Sequence, residues 1–188
     1  MLLTLYLLLF SFAQQSLVPL TNASFEGTPA ASAIPDGWMS ISPGSTPDIL
    51  PGAWGLMAAP FHGNTFIGLV TRDDGTREDI SQNLPVALSP GVCYRFSVYL
   101  AHLPEYVGYN QPLRLRVWGG PQNKRTELLA SSPLVMHTDW RKYTFEFIPD
   151  QSVRCITLEA YYGPGVIFYY KGNILLDNCS PVERCDRA

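Results

Sequence analysis

From residue 93 onward the chain alternates apolar and polar positions with a period of two. In Cys93–His102, Tyr94, Phe96, Val98 and Leu100 fall on one side and Arg95, Ser97, Tyr99 and Ala101 on the other. Leu113–Trp118 sets Leu113, Leu115 and Val117 against Arg114, Arg116 and Trp118. Trp140–Ile148 sets Tyr143, Phe145 and Phe147 against Lys142, Thr144 and Glu146. In Cys155–Tyr161, Ile156, Leu158 and Ala160 oppose Thr157, Glu159 and Tyr161. A strand with one buried and one open face has this pattern, and antiparallel sheets are built from such strands.

Shorter signals complete the set: Leu17–Phe25, Thr65–Val70, Glu78–Leu84 (with Ile80, Gln82 and Leu84 on one face) and Ile174–Val182. Residues between Phe25 and His62 carry Pro29, Pro35, Pro43, Pro47, Pro51 and Pro60, too dense for a regular helix. That stretch is predicted to wrap a sheet edge, with Trp38 and Trp54 as anchors. Asp73-Asp74-Gly75 reads as a hairpin turn, because Asp and Gly tolerate the backbone angles required. No amphipathic helix is evident. The pattern predicts an all-β fold, a two-sheet antiparallel β-sandwich of the jelly-roll kind.

Composition narrows the picture. The 188 residues are 46% hydrophobic and 15% charged, which suits one packed domain over residues 16–188 and excludes a disordered chain. Net charge is −3 with no basic stripe, so nucleic acid is not an expected partner. Residues 1–15 open on an apolar run of about a dozen residues that is too short to span a membrane. It reads as a secretory signal peptide removed near Ala13, which predicts a secreted or cell-surface protein without a membrane span. Cys93, Cys155, Cys179 and Cys185 are then expected to form disulfides. Three pairings are open, Cys179–Cys185 and Cys93–Cys179 among the bridges considered.

Catalytic signatures are missing. His62, His102 and His137 lie in no nucleophile or metal motif, and there is neither a Gly-x-Ser-x-Gly elbow nor a His-Glu-x-x-His pair. Asp73 and Asp74 with Glu78 and Asp79 offer carboxylates for glycoside cleavage, yet the hairpin reading accounts for the first two. A non-catalytic protein is predicted.

Sugars are held by flat aromatic faces and a few fixed polar groups. Tyr99, Arg114, Arg116, Trp118, Glu159 and Tyr161, the polar-side residues of the central strands, are the first candidate site. The competing reading has Trp118 and Tyr161 covering a sheet edge while Arg114 or Arg116 pairs with Glu159 across strands. Tyr106 and Tyr109, in the loop 104–111, are further candidates for sugar contact. The run 161–170 is a third aromatic cluster.

Two segments go beyond pattern: Leu20-Thr-Asn-Ala-Ser-Phe-Glu26-Gly with Ile34-Pro-Asp-Gly-Trp38, and Gly172-Asn-Ile-Leu-Leu-Asp177-Asn. Together they resemble the opening and closing strands of the galactose-binding-like jelly-roll carbohydrate-binding modules. Further stretches, Pro51-Gly-Ala-Trp54-Gly, Gly68-Leu-Val-Thr-Arg-Asp-Asp-Gly and Leu115-Arg-Val-Trp-Gly-Gly120, resemble a module in secreted and surface proteins of gliding and marine bacteria. The resemblance implies polysaccharide or surface glycan as partner, with adhesion to a surface protein as the alternative. It also implies a structural calcium between the chain ends, held by Glu26 and Asp177 with backbone carbonyls supplying the remaining oxygens.

Overall fold

The computed structural model describes residues 17–185, so the predicted signal peptide lies outside the described residues. Eleven strands run in chain order: β1 Asp48–Leu50, β2 Phe66–Thr71, β3 Asp79–Leu88, β4 Tyr94–Ala101, β5 Gln111–Pro112, β6 Arg114–Gly120, β7 Glu127–Ser131, β8 Arg141–Phe147, β9 Val153–Tyr161, β10 Gly172–Asp177 and β11 Glu183–Arg184. No α-helix occurs among the described residues, and the single 3₁₀ turn covers Ala53–Gly55. Nor is any helix there long and apolar enough to cross a membrane.

Two sheets result. One orders its strands β3-β9-β6-β7; the other runs β1-β2-β10-β4, with β8 flanking β4 and the short β5 and β11 beside β10 and β4. The alternation in β4, β6 and β9 decides how the sheets stack. Val98 and Leu100 from one sheet meet Leu115, Val117, Ile156, Leu158 and Ala160 from the other in a common core, with Phe25, Ile80 and Phe96. The polar residues between these positions are left on the outer faces.

The outer face of the larger sheet is covered over β1, β2 and β10 and open over β4 and β8, where Lys142, Thr144 and Glu146 are exposed. β2 and β10 are buried along their whole length, which is why their sequences run apolar without alternating. A second apolar cluster of Leu50, Leu56, Phe66, Val70, Ala101, Tyr106 and Leu175 covers that part of the face, roofed by loop segments. Tyr106 lies so near Gly68 that a Cβ there would stand 2.6 Å from the phenol oxygen. Glycine is required by this close approach.

Several sequence expectations need correction. Leu17–Phe25 is not a strand: Val18 makes one isolated bridge to Val182, and a turn occupies 21–24. Ile174–Val182 divides, since Asn178 takes a positive φ of 49° and ends β10. The disulfide joins Cys93 to Cys185, with Cα atoms 5.4 Å apart, so neither bridge considered from sequence forms. Cys155 and Cys179 are free and buried. The Asp73-Asp74-Gly75 turn is present as read: Arg72 N–H donates to Thr76 O, Thr71 pairs with Arg77, and Gly75 has φ +86°.

Pro85 sits inside β3, where a proline would break the ladder. The β3–β9 register shifts between Asn83 and Leu88, so the proline occupies the irregular segment and no hydrogen bond is forfeited.

Candidate functional site

Most of the candidates for sugar contact lie on the outer face of the four-stranded sheet. In β6, Arg114, Arg116 and Trp118 face outward, at strand spacing of roughly 7 Å per step of two residues. Across the ladder, Arg114 faces Tyr161, Arg116 faces Glu159 and Trp118 faces Thr157 on β9. One strand further, Asp79 on β3 stands opposite Glu159, and Ser81 opposite Thr157. The register therefore brings Arg114, Arg116, Trp118, Glu159 and Tyr161 together on one face.

Two buried carboxylates organise this face. Glu159 is 1% exposed and accepts three donors: Arg77 Nε at 3.1 Å, Arg125 Nη1 at 2.9 Å and Trp118 Nε1 at 2.8 Å. Asp79, fully buried, accepts from Ser40 Oγ at 3.0 Å, Ile41 N at 3.1 Å, the Ser42 hydroxyl and Arg125 Nη1 at 3.4 Å. The proline-rich segment thus folds over the β3 edge, where Met39 pairs with Ser81 and the Ser40 and Ser42 hydroxyls reach Asp79. Buried charges survive only when paired and hydrogen-bonded, and both of these are.

Arg116 does not make the cross-strand pair with Glu159 that its register allows. Its guanidinium carbon lies 3.2 Å from the centre of the Tyr161 ring, in a cation–π stack. Arg114 lies 5.3 Å from the same ring. The Nε atoms of Arg114 and Arg116 are buried without a hydrogen-bond partner, and neither side chain has a carboxylate within salt-bridge distance among the described residues. These arginines and Tyr161 form one wall of an open cleft of about 230 Å³, whose other wall is the 163–169 loop with Tyr169. Tyr169 packs on the β2–β3 hairpin, where a Cβ at Gly75 would come within 2.7 Å of its ring.

The remaining sequence candidates lie elsewhere. Tyr99 is on β4, in the other sheet, and stacks on Phe61 at 3.5 Å between ring centres. Tyr106 is buried, donating its hydroxyl to Asp48, and the surrounding apolar cluster removes it from any rim. Burial and that neighbouring carboxylate push its phenol pKa far up. Tyr109 is half-buried beside it, with rings 6.4 Å apart, along a cavity of about 130 Å³ that also meets Trp54, Asp48 and Glu78. Burial pushes the Glu78 carboxyl up to about 7, although Arg72, Val70 N–H and Thr46 all donate to it. Glu78, just before β3, and Asp79, its first residue, serve separate clusters.

Glu26 and Asp177 do sit near one another, joined by the 61–64 loop. Asp177 Oδ2 accepts the backbone N–H of Phe61 at 2.8 Å and of His62 at 2.9 Å, while Oδ1 accepts the Ser24 hydroxyl at 2.9 Å. Both Glu26 oxygens accept Asn64 N–H, at 3.0 and 3.1 Å. Both carboxylates therefore tie the 61–64 loop down through backbone N–H groups. No group of three or more His, Cys, Asp or Glu side chains among the described residues is placed to hold a metal. His62 Nδ1 also meets Ser24 Oγ at 2.9 Å, but the serine hydroxyl donates to Asp177. The aspartate thus orients the serine, not the imidazole, which is not the arrangement of a catalytic triad.

Pattern reading missed Arg77 and Arg125 as site residues and named Asp79 only among the carboxylates weighed for glycoside cleavage. Arg77 follows a turn and Arg125 lies in a loop, where no periodicity marks a face; Asp79 alternates with Ile80, so its face was readable.

No protein-family model matches the chain, and no curated protein matches it by sequence. Solved structures do resemble it. An arabinose-bound MgGH51 α-L-arabinofuranosidase superimposes with a TM-score of 0.64 at 15% identity, over 90% of this chain and 27% of the enzyme. The chain therefore spans about a quarter of that protein. The CBM22-1 xylan-binding domain of Paenibacillus barcinonensis Xyn10C gives 0.54 at 14% identity, over 88% of this chain and 93% of the domain. A cyclase from Fischerella sp. TAU, in complex with 4-(1H-indol-3-yl)butan-2-one, gives 0.57 at 14% identity, over 92% and 100%. The chain thus shares its β-sandwich fold with a xylan-binding domain and with a cyclase.

Proposed function

We propose that the chain is a non-catalytic carbohydrate-binding module that acts outside the cytoplasm and holds a polysaccharide on the outer face of the β3-β9-β6-β7 sheet. The observation that carries this reading is the wall formed by Trp118, Arg116 and Tyr161. Flat groups stand outward in a row, with Arg116 stacked on Tyr161 and Trp118 held from below by Glu159, which is itself neutralised. Such a wall offers stacking surfaces and fixed donors without reorganisation on binding. A structurally similar domain is described as xylan-binding.

The non-catalytic part rests on the same carboxylates. Asp79 and Glu159 each accept from arginine and from further donors, so both are taken up in holding the face together. Export is supported by the Cys93–Cys185 bridge, since such bonds persist in oxidising compartments. The apolar leader of residues 1–15 agrees with it.

A second reading, adhesion to a surface protein, draws on one feature. Ile167 and Phe168, at the tip of the loop bounding the cleft, are 87% and 82% exposed. Exposed apolar groups of this size mark contact surfaces when they are contiguous.

The test is retention of the purified, folded chain on a panel of insoluble polysaccharides and in affinity gels with soluble ones. Retention competed by the matching oligosaccharide, and lost in Trp118→Ala, is the expected result. A folded chain that no polysaccharide retains would overturn the carbohydrate reading in favour of the protein partner.

A further inference from the structure

The arginines on the outer face of the four-stranded sheet fall into two pairs with different fates. Arg77 and Arg125 are both spent on Glu159, and Arg125 also reaches Asp79. Those are the two carboxylates of the face, and they leave nothing for Arg114 and Arg116. The second pair lies against Tyr161, at 5.3 and 3.2 Å from its ring centre, beside Arg77 at 5.1 Å, with both Nε atoms buried and unpartnered. Four guanidinium groups face two carboxylates, in a protein whose total formal charge is −3. The positive excess is therefore local to the cleft.

This arrangement has a cost that a neutral sugar does not relieve. A guanidinium partly withdrawn from water loses hydration, and hydroxyl groups return hydrogen bonds but no charge. A carboxylate or sulfate returns both, because its paired oxygens match the planar fork of arginine donors. The stack on Tyr161 fixes the plane of the Arg116 fork before any ligand arrives, which lowers the entropy lost on binding.

We propose that this face takes an acidic polysaccharide, with the carboxylates of uronic acid residues or the sulfate esters of sulfated sugars seated on Arg114 and Arg116. The proposal rests on the carbohydrate-binding reading above and specifies its ligand class. Trp118, held by Glu159, then supplies the stacking surface next along β6 from the anion site. Because Asp79 and Glu159 are buried beneath their arginines, they present little negative charge to oppose the incoming anion.

The test uses matched pairs of soluble polymers in affinity gels: polygalacturonate against its methyl ester, and dextran sulfate against dextran. The intact chain is expected to be retained at least tenfold more strongly by an acidic member than by its neutral partner, with retention falling as NaCl is raised. Preference for polygalacturonate alone assigns the carboxylate, and preference for dextran sulfate alone assigns the sulfate ester. Arg116→Gln and Arg114→Gln are each expected to lose tenfold or more with the melting temperature unchanged. Arg184→Gln, an exposed arginine of the other sheet, should lose nothing.

Equal retention by acidic and neutral partners would overturn the acidic-ligand proposal and leave the carbohydrate reading standing. Equal losses from Arg184→Gln and Arg116→Gln would overturn it as well, by showing unspecific charge attraction. Failure of every polymer, neutral xylan included, would remove both readings together.

Discussion

Trp118 Nε1 donates to Glu159 Oε2 at 2.8 Å, a diagonal contact between neighbouring strands, since the residue directly opposite Trp118 is Thr157. The bond fixes the indole plane from below while the ring remains half-buried. Stability and binding can therefore be separated at this position. Trp118→Phe keeps a ring but loses the donor, and Glu159 retains Arg77 and Arg125. A loss of about 1 kcal/mol in urea unfolding is expected, with polysaccharide retention reduced but measurable. Trp118→Ala is expected to abolish retention. A Trp118→Ala protein that binds as tightly as the parent would place the ligand elsewhere.

Glu78 links stability to pH. Its carboxyl is raised from about 4.5 to about 7 by burial, which outweighs the attraction of Arg72. The folded chain thus keeps a proton that the unfolded chain has already released between those values. The associated stability is complete below pH 4.5, falls as the pH rises and is gone once the pH passes 7. Its size is on the order of 3 kcal/mol. Glu78→Gln should flatten this part of the pH profile when the two proteins are compared by urea unfolding from pH 4.5 to 8. Parallel profiles would show that the carboxyl ionises normally in place.

The Cys93–Cys185 bridge spans 92 residues of sequence and ties β11 to the start of β4. Closing so long a loop restricts the unfolded chain by about 4–5 kcal/mol. Replacement of both residues by serine is expected to lower the melting temperature by roughly 10–15 °C, with the sandwich still formed. A shift under 3 °C would mean that the chain end frays regardless.

At the junction of the chain ends, Asp177 is bonded by Phe61 N–H, His62 N–H and Ser24, and Glu26 by Asn64 N–H. With the oxygens so occupied, EDTA is expected to leave the melting temperature unchanged. Asp177→Asn, which trades an acceptor for a donor facing other donors, should cost about 2–3 kcal/mol. A melting temperature that falls with EDTA and recovers with calcium would place a metal at this junction.

The parts legible in sequence were those where one physical constraint acts alone. Alternation in β4, β6, β8 and β9 reports one buried face each, and it brought Arg114, Arg116, Trp118, Glu159 and Tyr161 to the surface as a set. It does not report which sheet a strand joins, so Tyr99, with the same signature, was grouped with residues on the opposite side of the molecule. Tyr106 looked like an exposed loop aromatic because nothing in its own segment shows that Gly68 leaves room for it. β1, β5 and β11 are too short to carry a period, and β7 is offset by a register shift between Val117 and Trp118. The roles of Arg77 and Arg125 depend on where a turn and a loop end in space. Cysteine pairing is likewise a property of the fold, and the four positions alone left it open.

The two free cysteines have a use that follows from their position alone. Cys155 belongs to the four-stranded sheet and Cys179 lies in the core just past β10, and burial raises the pKa of both thiols. A thiol in that state does not react with an alkylating reagent, whereas the same thiol in an opened chain does. Each cysteine is thus a native clock for the layer it occupies. The interval between labelling at 155 and at 179 would tell whether the two layers of the sandwich come apart together or one before the other.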